Sequence, residues 1–251
     1  MIRSKHLVQE KKMKKNQESR VAKQTTLVVC LFVGILFAMA NTVLAAPIKS
    51  CTVINKAGQY KLVADLSGSR TCITITASDV ELSLNGHTIS GPGNEVEEWI
   101  GILVVGVSNV NIKGPGIVTD FRRGVNFEGV DYSEVKDVTS TGNYFGFVVN
   151  ADFLHDVNNQ SERNTFEANE STFNVQHGFT LNRASNNTLI DNQANDNGAN
   201  GIVIAYGKAN TVKRNTSLRN KTDLKDDTLE GCGNNIWKVN IFVTKNLPCI
   251  R

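Results

Sequence analysis

The chain has 251 residues, 40% of them hydrophobic and 20% charged, with 20 glycines, 4 prolines and 5 cysteines. That profile fits one or two ordinary globular domains and excludes a collagen, a disordered chain and a multi-span membrane protein. The formal charge is +3, but eight of the 27 basic and two of the 24 acidic residues precede the first apolar run. The remainder carries 19 basic against 22 acidic residues and offers no electrostatic basis for binding nucleic acid.

From Thr25 to Pro47 runs an apolar segment that begins Leu27-Val-Val-Cys-Leu-Phe, follows a lysine-rich stretch and ends in Val43-Leu44-Ala45-Ala46-Pro47. Basic, apolar and small-residue regions in that order predict a secretory signal over residues 1–45, cut near Ala45, with Met13 as an alternative start. An exported protein, periplasmic or extracellular, is expected. If the leader is not cleaved it would anchor the chain, and membrane contact is expected through it alone. Cys30 has Val29 before it and sits early in the apolar run, which argues against lipidation.

Beyond the leader stand four cysteines, Cys51, Cys72, Cys232 and Cys249. An even number in an exported chain suggests disulfides. Local pairing of Cys51 with Cys72 and of Cys232 with Cys249 closes loops of 21 and 17 residues, each worth about 3 kcal/mol on the loop-entropy estimate. A four-thiolate zinc site would need the chain ends to meet and lacks C-x-x-C spacing. No metal-ligating residues are assigned.

The central region repeats. Gly101-Ile-Leu-Val, Gly124-Val-Asn-Phe, Gly146-Phe-Val-Val, Gly178-Phe-Thr-Leu and Gly201-Ile-Val-Ile are spaced by 23, 22, 32 and 23 residues. The 32-residue unit holds a nine-residue insertion before Phe166. Allowing for it, polar columns align: Ser133, Asn164, Asn187 and Asn210; Asn169, Asn192 and Asn215; Asn143, Asn174, Asn197 and Asn220. If each unit is one turn of a coil and turns stack about 4.8 Å apart, such residues lie directly above one another and their amides can hydrogen-bond from turn to turn. The residues one and three after each glycine, such as Val125 and Phe127 or Phe147 and Val149, share one side by the period-two rule and form the expected core. The prediction is an all-β protein, a single-stranded right-handed parallel β-helix of about six turns of 22–24 residues. Residues 46–76 and 224–251 are expected to cap repeats over residues 77–223. The first turn is ambiguous, because Gly91-Pro-Gly matches Gly114-Pro-Gly at 23 residues whereas Val80 and Leu82 match Val110 and Ile112 at 30.

The stretch Val80-Glu-Leu-Ser-Leu-Asn-Gly-His-Thr-Ile-Ser-Gly, with Gly101-Ile-Leu-Val, Asn109-Val-Asn-Ile-Lys and the tail from Cys232 to Cys249, resembles the parallel β-helix repeat proteins of the pectin-lyase-like superfold. Within it, the chain is similar to the secreted set that includes the copper-site maturation protein of nitrous oxide reductase. The resemblance covers nearly all of residues 50 to 251. It implies the fold, but it spans lyases, hydrolases, epimerases and proteins without known chemistry, so activity must be argued from the site.

Three histidines follow the leader. His87, in Asn85-Gly-His-Thr, reads as a turn residue. His155 falls in the insertion with Asp152 and Asp156, where a histidine and two carboxylates in one loop could serve as base and acid or hold a cation; alginate epimerases carry Asp-Pro-His-Asp, of which His155 and Asp156 match the last two. His177 precedes Gly178 in a column with Ile100, Arg123, Phe145 and Asn200. The column two before each glycine, Trp99, Arg122, Tyr144 and Gln176, interleaves aromatic rings with a guanidinium, which suits stacking on sugars and pairing with uronates. Trp99, Arg122, Tyr144 and His177 are therefore expected to bind substrate. Were the protein a lyase, the resemblance to pectate lyases would make Arg122 or Arg123 the base, with Ca2+ held by acidic residues, yet the sequence shows no complete catalytic motif. All three methionines lie in the leader, and copper handling thus lacks thioether ligands. A polysaccharide is the expected partner; a non-catalytic scaffold and a copper-maturation-like role are the alternatives, and the oligomeric state is open.

Overall fold

A computed structural model describes residues 44–95, 98–151, 160–228 and 231–251. All strand pairs are parallel, and the strands form three sheets, of nine, six and eight strands. The nine-stranded sheet runs from Ala46–Ile48 to Ile236–Lys238, the six-stranded sheet from Leu66–Ser67 to Gln193–Asn195, and the eight-stranded sheet from Thr52–Ile54 to Thr222–Asp226. The chain visits the three in that order and returns one rung further along, which makes a right-handed β-solenoid. Six turns, from Gly58–Leu62 to Asn200–Ala205, contribute a strand to every sheet; shorter turns flank them.

The register is the one the repeats predict. Val125 pairs with Ile102 and Phe147, and Phe179 with Phe147 and Ile202. The expected inward pairs are all at most 1% exposed. Phe147 and Phe179 stack with centroids 4.7 Å apart, and Phe127 and Phe166 meet at 5.3 Å, filling the centre of the coil. Phe166 belongs to the nine-stranded sheet and pairs with Val135 and Leu189, so the insertion before it leaves the ladder intact.

Two features explain the repeat. At many corners of the later turns one residue takes a left-handed conformation immediately before a buried asparagine, as at Asn186, Asp191 and Asp196, with φ of 58°, 58° and 57°. This single departure bends the strand into the next sheet, and Asn and Asp tolerate it better than most residues. The following asparagine then points inward and satisfies backbone groups that the bend leaves without ladder partners. The repeat glycines answer a different need. A Cβ on Gly124 would overlap the Ser140 hydroxyl and crowd Asn143, and one on Gly146 would overlap Ser171. Those hydroxyls donate back to the glycine carbonyl one turn-corner later, Ser140 to Gly146 at 3.0 Å and Ser171 to Gly178 at 2.8 Å.

The 30-residue register holds for the early turn: Val80 pairs with Val110 and Leu82 with Ile112. The extra residues lie between strands Thr88–Ser90 and Ile100–Val105, and Gly91 donates to Thr119 rather than aligning with Gly114. The expected boundary at residue 77 marks no break. The segment expected as an N-terminal cap contains five strands that belong to the three sheets, including the whole first complete turn. At the other end, the residues after Ile236–Lys238 fold across the last turn, leaving Ile250 fully buried. Cys51–Cys72 and Cys232–Cys249 are both disulfides, with Cα separations of 4.4 and 6.4 Å. Among the described residues no helix is long and apolar enough to cross a membrane; the expected signal segment up to residue 43 lies outside them.

Candidate functional site

The outer face of the eight-stranded sheet carries a groove of about 650 Å³. Because strand side chains alternate, the residues two and four after each repeat glycine point away from the core. Val148, Thr180 and Val203 therefore form the floor, and Glu128, Asn150, Asn182 and Asp227 one flank. The residue just before each glycine supplies the other flank, Arg123, Phe145, His177 and Asn200, to which Glu98 adds. Parallel in-register strands repeat this pattern from rung to rung, giving an apolar floor between two polar edges.

The flanks are braced internally. Arg123 Nη1 lies 2.7 Å from Glu98 Oε2, and Lys225 Nζ lies 2.7 Å from Asp227 Oδ2. Asn126, fully buried on this face, donates to Glu128 at 2.6 Å and accepts from Asn150 at 3.4 Å. Two groups remain uncommitted: among the described residues the Asn182 side-chain amide makes no hydrogen bond, and the Thr180 hydroxyl is without a partner. Nδ1 of His177 accepts from the backbone N–H of Asn200 at 3.2 Å and lies as close to the Asn200 side-chain nitrogen. That arrangement puts the proton of the neutral ring on Nε2. Burial, reinforced by the Lys225 charge and only partly offset by Asp227, pushes the imidazole pKa down to about 4. At neutral pH His177 is an uncharged hydrogen-bond donor.

The residues expected from sequence divide into three groups. Arg123 and His177 line the groove. Trp99, Arg122, Tyr144 and Gln176 do stack on successive turns, Arg122 N–H donating to the Trp99 carbonyl and Gln176 N–H to that of Tyr144. Their side chains, however, form the corner beside the groove. The Arg122 guanidinium lies 3.6 Å from the Tyr144 ring centroid, Arg70 lies 5.7 Å from that of Trp99, and Trp99 packs against the core. One ring face of Tyr144 is thus already covered by a cation. Asp152, His155 and Asp156 lie outside the described residues. His87 sits at another corner with Nδ1 3.1 Å from Asp65. Sequence reasoning missed Glu128, Asn150, Asn182, Lys225 and Asp227; the signal that finds the first three is the polar column four after each glycine.

With this geometry in hand, the family can be assigned. A family model described as "Periplasmic copper-binding protein (NosD)" matches residues 48–247. The chain belongs to the NosD family. It is accordingly an exported, periplasmic-type β-helix protein. Comparison with the curated proteins gives no match. Among solved structures, NosD-family membership is accompanied by likeness to the periplasmic alginate epimerase AlgG, at 14% identity and a TM-score of 0.45, covering 79% of this chain and 65% of that one. The AlgE6 A-module of the mannuronan C-5 epimerase of Azotobacter vinelandii gives 17%, 0.44, 72% and 62%. The Dettilon tailspike protein gives 15%, 0.46, 72% and 44%. The chain thus spans less than two thirds of each, and no argument about activity rests on them.

The NosD description names copper, and the donor set can be tested against it. Among the described residues the histidines are His87 and His177, which sit on different sheet corners with their Nδ1 atoms on Asp65 and Asn200. The four cysteines there are disulfide-bonded, and all three methionines precede residue 44. No three His, Cys, Asp or Glu side chains gather among the described residues. Copper favours converging imidazole, thiolate or thioether ligands, and the described residues do not fit it. The expectation of calcium finds no carboxylate cluster there either.

Proposed function

We propose that this NosD-family protein binds a polysaccharide in the groove on the outer face of its eight-stranded sheet. The observation that carries the reading is the groove itself. Its largely apolar floor is bordered by rung-spaced amide, imidazole and charged groups, with Phe145 on one flank as a surface for a sugar ring. An extended polymer lying along the groove meets a polar edge group on nearly every rung.

Binding is favoured over glycosidic hydrolysis by the placement of the carboxylates. Glu128 and Asp227 stand on the same flank but four rungs apart, about 19 Å at the usual strand spacing. Paired glycosidase carboxylates lie about 5 to 9.5 Å apart. Glu98, on the opposite flank, is engaged by Arg122 and Arg123. A smooth-faced scaffold for protein partners would have no use for a bordered groove.

Affinity electrophoresis through gels containing a panel of soluble glycans tests the proposal. Retardation by at least one glycan, lost in Phe145→Ala and Asn182→Ala without a change in melting midpoint, is the expected result. Migration unaffected by every glycan, or retardation unchanged in both variants, would overturn it.

A further inference from the structure

We infer that the glycan taken by this groove is uncharged, a polymer of neutral hexose or N-acetylhexosamine rather than a polyuronate. The inference rests on the polysaccharide-binding reading and comes from where the groove's charges are spent. Five ionisable side chains besides His177 line it: the cations Arg123 and Lys225, and the carboxylates Glu98, Glu128 and Asp227. Carboxylates outnumber cations, so the groove as a whole is negative.

Both cations are already paired within the protein. Arg123 holds Glu98 at 2.7 Å and Lys225 holds Asp227 at 2.7 Å. Arg122, at the corner beside the groove, lies over the Tyr144 ring with its Nε 3.6 Å from Glu98. A uronate carboxylate entering here could only exchange with a carboxylate that is already in place, and it would leave that group facing it. Such an exchange gains no net charge pairing, and juxtaposed like charges act against the partner. Glu128 sharpens the exclusion. Its hydrogen-bond partner is the uncharged amide of Asn126, so it would face a polyuronate as an unneutralised anion at the end of the groove opposite Asp227. His177, held neutral at ordinary pH by its burial, supplies no further cation.

What the groove has to spare is neutral hydrogen bonding. The Asn182 amide and the His177 Nε2–H carry no partner among the described residues, and Glu128 retains acceptor capacity for sugar hydroxyls. Uncharged sugars present hydroxyl or acetamido groups that match this inventory of donors and acceptors.

Isothermal titration of the purified protein at pH 7 with oligomers of β-linked glucose and N-acetylglucosamine, against oligogalacturonate and oligomannuronate, tests the inference. At least one neutral series should bind about tenfold or more tightly than either uronate series. Glu98→Gln, a change at a side chain 65% exposed, frees Arg122 and Arg123 and should raise uronate affinity by about fivefold with an unchanged melting midpoint. Equal or tighter binding of uronates by the unaltered protein overturns the inference while leaving glycan binding standing. So does a Glu98→Gln protein whose uronate affinity fails to rise. Binding of no glycan overturns the polysaccharide reading itself and this inference with it.

Discussion

Asn187 lies directly beneath Asn210: its backbone N–H donates to Asn210 Oδ1 at 2.9 Å and its own side-chain nitrogen to the same oxygen at 3.3 Å, although 23 residues separate them. Asn187 Oδ1 in turn accepts both nitrogens of Asn164, and its Nδ2 also donates to the carbonyls of Ser161 and Ser185. Three such columns run through the coil, and two of them continue past the repeats to Asn235 and Asn240. Each side chain occupies the place where a corner would otherwise bury unpaired backbone groups.

Replacing Asn187 by leucine, close in volume but without polar atoms, should destabilise the protein by about 3 kcal/mol, because the Asn164 N–H is left buried without its acceptor and the Ser161 carbonyl keeps only the Ser185 N–H. Urea unfolding followed by circular dichroism measures this. A change within 0.5 kcal/mol, typical of surface sites, would show that the ladder contributes little.

Gly146→Ala should cost about 2 to 3 kcal/mol by overpacking, since the new methyl overlaps the Ser171 hydroxyl and approaches the Gly178 carbonyl. Combining it with Ser171→Ala should recover part of the loss, as Ala194 already stands in the corresponding place beside Gly178. A double-mutant cycle with no coupling would contradict the close-approach explanation.

The C-terminal fold-over depends on Asp223. Its Oδ1 accepts from Asn220, and its Oδ2 from the backbone N–H groups of Val243 and Thr244, both at 2.9 Å. Burial opposes the charge, but the donors from Thr244, Val243 and Asn220 together outweigh it and hold the carboxyl below its ordinary value. A carboxyl depressed in the folded state stabilises above its unfolded pKa, and that contribution fades as pH falls through the folded value. Protection of the Val243 and Thr244 amides from hydrogen exchange, relative to the intrinsic rate at the same pH, should therefore fall on acidification below about pH 4. Asp223→Asn should show faster exchange there already at pH 7, because one amide oxygen replaces two acceptors and the amide NH2 must oppose either the Asn220 pair of donors or the Val243 and Thr244 pair.

His177 should titrate in an NMR pH series with a midpoint near 4. Here the folded pKa lies below the unfolded one, so the unfolded chain binds the extra proton first. Stability is complete above about pH 6.5 and declines as pH falls towards 4. Lys225→Met should move the midpoint upward, since the Lys225 charge is the second cause of the depression. A midpoint near 6.5 in the unaltered protein would show that the ring is solvated and does not wall the groove as described.

Much of this architecture is legible in the residue order because a solenoid converts sequence period into spatial neighbourhood. Glycines at 22 or 23 residues and asparagines at fixed offsets are one-dimensional images of columns whose register the pairs Val125–Phe147 and Thr188–Thr211 display. The two disulfides are readable for a related reason, as each joins segments one short turn apart. The strands of residues 46–76 were not readable as turns, because they pair in register without carrying the glycine and asparagine marks.

By itself, then, the amino-acid order determined the β-solenoid, its core columns and its disulfides, since these depend on local periodicity and on side chains that repeat at one spacing. Only the tertiary structure decided where a ligand can lie. Arg123, Phe145 and His177 become a wall, and Glu128, Asn150 and Asn182 the opposite edge, because the two ends of each outward-facing strand stand apart while neighbouring rungs lie about 4.8 Å from each other. Which charges remain available is likewise a matter of three-dimensional pairing: Arg122 on Tyr144, Arg123 on Glu98 and Lys225 on Asp227 are contacts whose outcome depends on how side chains pack at a corner, and no repeat in the sequence records that.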